Sequence, residues 1–155
     1  MRNAAERAGT AGIVLAANNH VGSALETVAG TRRFLDRVCH RNVGLLYDAM
    51  HLTVAGEDVL GCSAQLLPFV RNVLVQSVRP ARADEPPCMT HEGRRWTKAL
   101  VDEVGAPDWP GILGRFRRLG YDGPITVIEN GWEPARRDFV ARHTAACVHA
   151  WWARA

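Results

Sequence analysis

The side chains able to do chemistry fall at four matching places in the chain. The run GIVLAAN (12–18) ends in Asn18, followed by Asn19 and His20. NVGLLYD (42–48) ends in Asp48, with His51 three residues on. VRNVLVQSV (70–78) carries Gln76 inside an apolar stretch, and ITVIE (125–129) ends in Glu129, followed by Asn130. Two carboxylates, an amide oxygen and nearby imidazoles form a donor set suited to a hard divalent cation such as Mg²⁺ or Mn²⁺. Each residue alone has a plainer explanation: Asp or Asn after a strand caps the next turn, a single histidine packs, and Gln76 satisfies a neighbouring backbone group. Four such positions at equivalent places point to one shared rim.

The elements that must position them alternate between short apolar runs and amphipathic helical stretches. Residues 2–9 read as the last turns of a helix, with Gly9 and Gly12 as stop signals. The run 12–18 reads as a strand covered on both faces. A helix follows from Thr27, a plausible N-cap, to Val38. Strand 42–48 leads into a short helix capped by Asp58, then strand 70–78. Residues 79–107 form a long polar connection of the kind that is functional or mobile. Asp108-Trp109-Pro110 opens a helix that stops at Gly120, strand 125–129 follows, and a last helix runs from about Pro134 to Trp152. Four strand–helix units in succession predict right-handed crossovers and a parallel sheet, in which ligands bind at the C-terminal strand ends.

Composition narrows the classes. The chain has 155 residues, 47% hydrophobic and 23% charged, which suits one globular domain and excludes a disordered or low-complexity protein. No apolar run approaches the roughly 20 residues of a membrane span, and the polar start lacks the apolar core of a secretory signal. The cysteines Cys39, Cys62, Cys88 and Cys147 lack C-x-x-C spacing, so a zinc ribbon, a disulfide framework and a thiol-rich zinc site are not expected; a reducing cytoplasm is. Net charge is +3, and all the basic residues except Lys98 are arginine. The arginine pairs are scattered and read as a solvated outer face rather than a nucleic-acid stripe.

At these residues the chain resembles the xylose-isomerase-like TIM-barrel superfamily of sugar isomerases and epimerases, most of all the hydroxypyruvate-isomerase and tagatose-epimerase branch. The segments carrying the resemblance are GIVLAANNH (12–20), NVGLLYDAMHL (42–52), NVLVQSV (72–78) and DWPGILGRFRRLGYDGPITVIEN (108–130). The D-x-x-H pair Asp48/His51 and the last segment are the specific parts. The resemblance implies an α/β fold with a parallel sheet of four β/α units, the C-terminal half of a (β/α)8 barrel, as one partial domain over 1–155. It implies one divalent metal, Mn²⁺ or Mg²⁺, held at the strand ends by a Glu, an Asp, a His or Gln, and a second Glu. Asp48, Gln76 and Glu129 fill the last three places, and His51 falls at a position after the Asp that either supports a ligand from behind or contacts the substrate. The glutamates of such a site move a proton between adjacent carbons of a hydroxy-ketone or hydroxy-aldehyde, with the metal polarising the oxygens.

The sequence departs from that pattern twice. Asn18 stands where the pattern has its first Glu; it offers a carbonyl oxygen but no general base, which leaves His20 as the other candidate base on that rim. Length is the second departure, because a complete barrel takes about 250 residues. A four-strand half leaves two sheet edges unpaired, so a second copy or the missing N-terminal half is the expected partner. The reading is therefore a sugar isomerase or epimerase acting on a small sugar or hydroxy-carbonyl compound, without nucleic-acid or membrane partners. The alternative is a catalytically impaired half-barrel remnant or partner subunit. The endonuclease branch of the superfamily needs more His and acidic ligands than this rim carries. Arg79, Arg82 and His91 on the long connection are further candidates for contacting a hydroxylated or anionic substrate, or simply solvated loop charges.

Overall fold

The computed structural model describes residues 1–129 and 131–155. Four strands, β1 (Leu15–Asn18), β2 (Val43–Asp48), β3 (Val70–Val75) and β7 (Ile125–Val127), form a parallel sheet in the order β1-β2-β3-β7. Sequential strands are therefore spatial neighbours, as short crossovers demand. All four C-terminal ends meet along one edge of the sheet.

The connecting helices begin where the side chains dictate. Thr27 caps α2 (Val28–Val38) by accepting from the Gly30 N–H, and Asp58 caps α4 (Val59–Leu66) through Gly61. Asp108 accepts from the Gly111 N–H at the start of α5 (Trp109–Arg118), where Pro110 occupies a first-turn position whose N–H would have no partner. Each such cap contributes on the order of 1 kcal/mol. Just past α5, Gly120 takes φ +85, the left-handed conformation that ends helices with least strain in glycine. The helices α1 (Arg2–Thr10) and α6 (Pro134–Arg154) match expectation, whereas α3 (Ala49–Val54) is an extra short helix starting directly after Asp48.

The core lies between the sheet and its helices. Leu45, Tyr47, Val73 and Val75 from the strands meet Trp109, Ile112, Leu113 and Phe116 of α5. The Tyr47 and Phe116 rings are 4.8 Å apart, and Phe116 meets Tyr121 edge-on at 5.5 Å. Burial at this density stabilises each large side chain by roughly 2–3 kcal/mol.

Two expectations are corrected. The segment 79–107 is not structureless: β4 (Val78–Pro80), β5 (Met89–His91) and β6 (Arg94–Lys98) form an antiparallel sheet in the order β4-β6-β5. Glu92 and Gly93, with φ 47 and 77, make the two-residue turn of its hairpin, a conformation that twists with the strands. Arg79 fastens the sheet from below, bonding Glu85 at 2.7 Å and Glu103 at 2.5 Å. The stretch 12–18 is the second correction. Only Leu15–Asn18 is strand, it lies at a sheet edge, and Ile13 and Val14 are exposed rather than covered on both faces. No described helix is long and apolar enough to cross a membrane.

Candidate functional site

Asp48 is the most constrained polar residue of the rim. It ends β2, and the chain turns at once into α3, so its carboxylate serves as that helix's N-cap: Oδ1 accepts from the N–H groups of Met50 at 3.0 Å and His51 at 3.4 Å. The side chain of Gln76 donates to Oδ2 at 2.7 Å, and His51 Nε2 lies 3.7 Å from the same oxygen. Asp48 is fully buried. Burial raises its pKa to about 6, against the lowering effect of the Gln76 amide and the two backbone N–H groups. Gln76 lies just beyond β3 rather than inside it, because β3 ends at Val75.

Histidines complete the cluster. His51 is buried, and desolvation lowers its pKa to about 4, helped by the positive ends of His20 and Lys98. It is therefore a neutral imidazole at neutral pH, and its buried Nδ1 has no hydrogen-bond partner among the described residues. The His20 ring lies against it, with centroids 3.8 Å apart. His20 is exposed, and its Nδ1 lies 2.7 Å from the Val21 carbonyl oxygen. A carbonyl only accepts, so His20 Nδ1 is the donor in this contact.

The chain thus links Gln76 and His51 to Asp48, and His20 to His51. Asn18 and Glu129 stand at the ends of the two edge strands. Asn18 is half-buried, and its buried side-chain oxygen finds no hydrogen-bond partner among the described residues. Glu129 follows β7, where the Ile128 N–H bonds the Val75 carbonyl and so sets this strand end beside Gln76. Burial raises the Glu129 pKa, with the Thr144 hydroxyl and the Lys98 ammonium pulling it down. Asn130, expected beside it, lies outside the described residues.

Oxygen donors from Asp48, Gln76, Glu129 and Asn18, with a neutral imidazole adjacent, fit a hard divalent cation in type. The loop candidates fare differently. Arg79 is committed to Glu85 and Glu103, Arg82 lies in the exposed loop after β4 with its guanidinium 3.9 Å from Glu85, and half-buried His91 ends β5.

Sequence reasoning missed several parts. Asn19 is fully buried and clamps Asp48 through its backbone, with Nδ2 donating to the Asp48 carbonyl and Oδ1 accepting its N–H, both at 2.8 Å. Trp109 donates to the Ser77 hydroxyl at 2.8 Å, steadying the residue after Gln76. Lys98, noticed only as the single lysine, turns out to influence both His51 and Glu129. A helix-face spacing of four between His143 and Cys147 was the one visible sign of a separate cluster with Asp102.

The four-stranded parallel α/β sheet has the architecture of part of a (β/α)8 barrel, and the family follows from sequence comparison. Residues 1–149 match the model of the xylose isomerase-like TIM barrel family, and the chain belongs to it. It is 27% identical to an inosose dehydratase of Lacticaseibacillus casei over 138 residues, which is 84% of this chain and 45% of that protein. Its fold resembles a crystallised L-ribulose 3-epimerase, with TM-score 0.71 and 16% identity, covering 99% of this chain and 52% of that one. A xylose isomerase-like TIM barrel protein from Mycobacterium smegmatis, solved in complex with magnesium, gives TM-score 0.66 and 17% identity, covering 95% and 49%. The chain spans about half the length of the relatives it matches.

Proposed function

We propose that this chain supplies the metal-binding half of a sugar isomerase- or epimerase-like site, acting by proton transfer on a small hydroxy-ketone or hydroxy-aldehyde. The observation that carries the reading is the buried Asp48 carboxylate, held by Gln76 and flanked by His51 and His20 at the ends of adjacent parallel strands. Asp48, Gln76, Glu129 and the Asn18 oxygen would hold a Mg²⁺ or Mn²⁺ ion. When bound, that ion supplies Lewis-acid polarisation of a substrate oxygen.

The rest is the work of the chain's own residues. Glu129 is the general base: burial raises its pKa, which makes it a better proton acceptor than an exposed carboxylate. Asn18 has no proton to exchange, so the pair of carboxylate bases needed to invert one carbon through two faces is absent. One base suffices for moving a proton between neighbouring carbons, or for removing one before a hydroxyl leaves. The second course is in keeping with the dehydratase among the relatives. Exposed His20 is the residue to take or give a proton at the solvent side, and neutral His51 the one to donate to a substrate hydroxyl.

A second reading rests on Asn18 itself: loss of one anionic ligand weakens the ion, leaving a remnant or partner subunit that works only beside another half-barrel. Replacing Asn18 by Glu discriminates. Tighter Mn²⁺ binding with new activity supports impairment by this residue, whereas unchanged binding places the site elsewhere.

A further inference from the structure

On the outer side of the fold, three side chains of different chemistry converge. His143 Nε2 lies 2.8 Å from Asp102 Oδ1, and the Cys147 sulfur lies 3.7 Å from the same His143 nitrogen and 4.0 Å from Asp102 Oδ2. Among the described residues, this is the group of His, Cys and acidic side chains whose ligand atoms all fall within 4.8 Å of one another. His143 and Cys147 are four apart on α6 and so share one helix face. Asp102 reaches them from the segment after β6, 41 residues earlier.

A Cys–His–Asp nucleophile does not fit this arrangement. In such a triad the imidazole meets the nucleophile through one nitrogen and the carboxylate through the other. Here a single nitrogen faces both partners. Convergence of S, N and O on one point is instead the geometry of ligands around a shared centre. Bonds of about 2.0–2.3 Å to a tetrahedral ion separate its ligands by roughly 3.3–3.8 Å. The observed 2.8, 3.7 and 4.0 Å need shifts of only a few tenths of an ångström in rotatable side chains.

We propose that Asp102, His143 and Cys147 bind a borderline divalent ion of the zinc type, distinct from the rim at the strand ends. The donor set selects the ion: one thiolate and one imidazole favour Zn²⁺ or Co²⁺, whereas the rim's oxygens favour Mg²⁺ or Mn²⁺. Three protein ligands leave a fourth position, and exposed Asp102 opens it to solvent. Phe139 stacks on the His143 ring at 5.7 Å with an 18° tilt between planes, which limits the ring's rotation before any ion arrives. The bound ion would pin the 99–107 segment to α6.

Cobalt titration of the full chain, followed by absorption, reads the thiolate directly. One equivalent of Co²⁺ gives a sulfur-to-cobalt charge-transfer band, and Zn²⁺ displaces it. Cys147→Ser abolishes the band and His143→Gln weakens binding on the order of 100-fold, while Cys39→Ser, Cys88→Ser and Asp48→Ala leave it intact. Far-UV circular dichroism checks that each variant is folded; should Cys147→Ser fail to fold, His143→Gln decides on the same band. No band in the folded wild-type chain, or a band that survives Cys147→Ser or His143→Gln, overturns the proposal.

Discussion

The side-chain amide of Asn19 hydrogen-bonds both the N–H and the C=O of Asp48, each at 2.8 Å. The regular pairing of β1 with β2 stops at Asn18 and Leu46. Asn19 therefore continues the ladder with a side chain in place of backbone, and delivers the Asp48 carboxylate to the rim at a fixed height. Replacing Asn19 by Ala leaves two buried backbone groups without partners. The expected loss is about 2–6 kcal/mol in urea unfolding, with a weakened Mn²⁺ affinity, since each orphaned group costs roughly 1–3 kcal/mol. A variant with wild-type stability would show that the clamp is dispensable.

Acid–base titration of the same cluster is a second test. The Asp48 pKa rises from 3.8 to about 6 on folding, so between those values the folded chain holds more protons and loses stability as pH climbs. His51 falls from 6.5 to about 4, so across nearly the same window the unfolded chain holds more protons and stability rises with pH. Each effect is on the order of 3 kcal/mol, and they oppose. In chelator, wild-type stability should vary little from their account between about pH 4 and 6. Asp48→Asn should leave a profile that rises with pH, and His51→Gln one that falls. Parallel profiles for all three proteins would contradict the assignment.

Much of the fold was legible because its signals are local. The caps Thr27, Asp58 and Asp108 and the stop at Gly120 all act where their residue types imply. What could not be read depended on partners far away in sequence. The small sheet hid behind a Glu92-Gly93 turn, since Asn or Asp before Gly is the usual sign of a hairpin and Glu is not. Val14 looks like a buried strand residue but is exposed, because an apolar run says that a residue suits burial and not that anything in this chain covers it. At the rim, Asp48, Gln76 and His51 were readable from their strand ends. Asn19 and Lys98 were not, because their significance lies in contacts 29 residues away in one case and across two sheets in the other.

Trp109 offers a third test. It is fully buried and its indole N–H holds the Ser77 hydroxyl. Trp109→Phe keeps most of the apolar volume and removes the bond, so denaturant unfolding should show a loss of about 1–3 kcal/mol with an unchanged slope. Loss of Mn²⁺ affinity beyond that accompanying Ser77→Ala would show that the indole does more than steady the neighbour of Gln76.

The anionic ligand count gives a fourth. Asn18→Glu adds a carboxylate where an amide oxygen without a partner among the described residues now stands, and calorimetry should find Mn²⁺ binding tightened by at least 10-fold. The same variant without metal should be less stable than wild type above about pH 6, because a third acidic group joins the rim.

The most direct measurement is Mn²⁺ titration of the wild-type chain beside Asp48→Ala and Glu129→Ala, with Cys147→Ser present so that the outer cluster does not contribute. One rim equivalent of Mn²⁺ should bind the parent, and each rim substitution should lower its affinity at least 10-fold, as losing a direct ligand must cost no less than losing a supporting contact. Identical titrations for the three proteins would contradict the placing of a metal-dependent site at these strand ends.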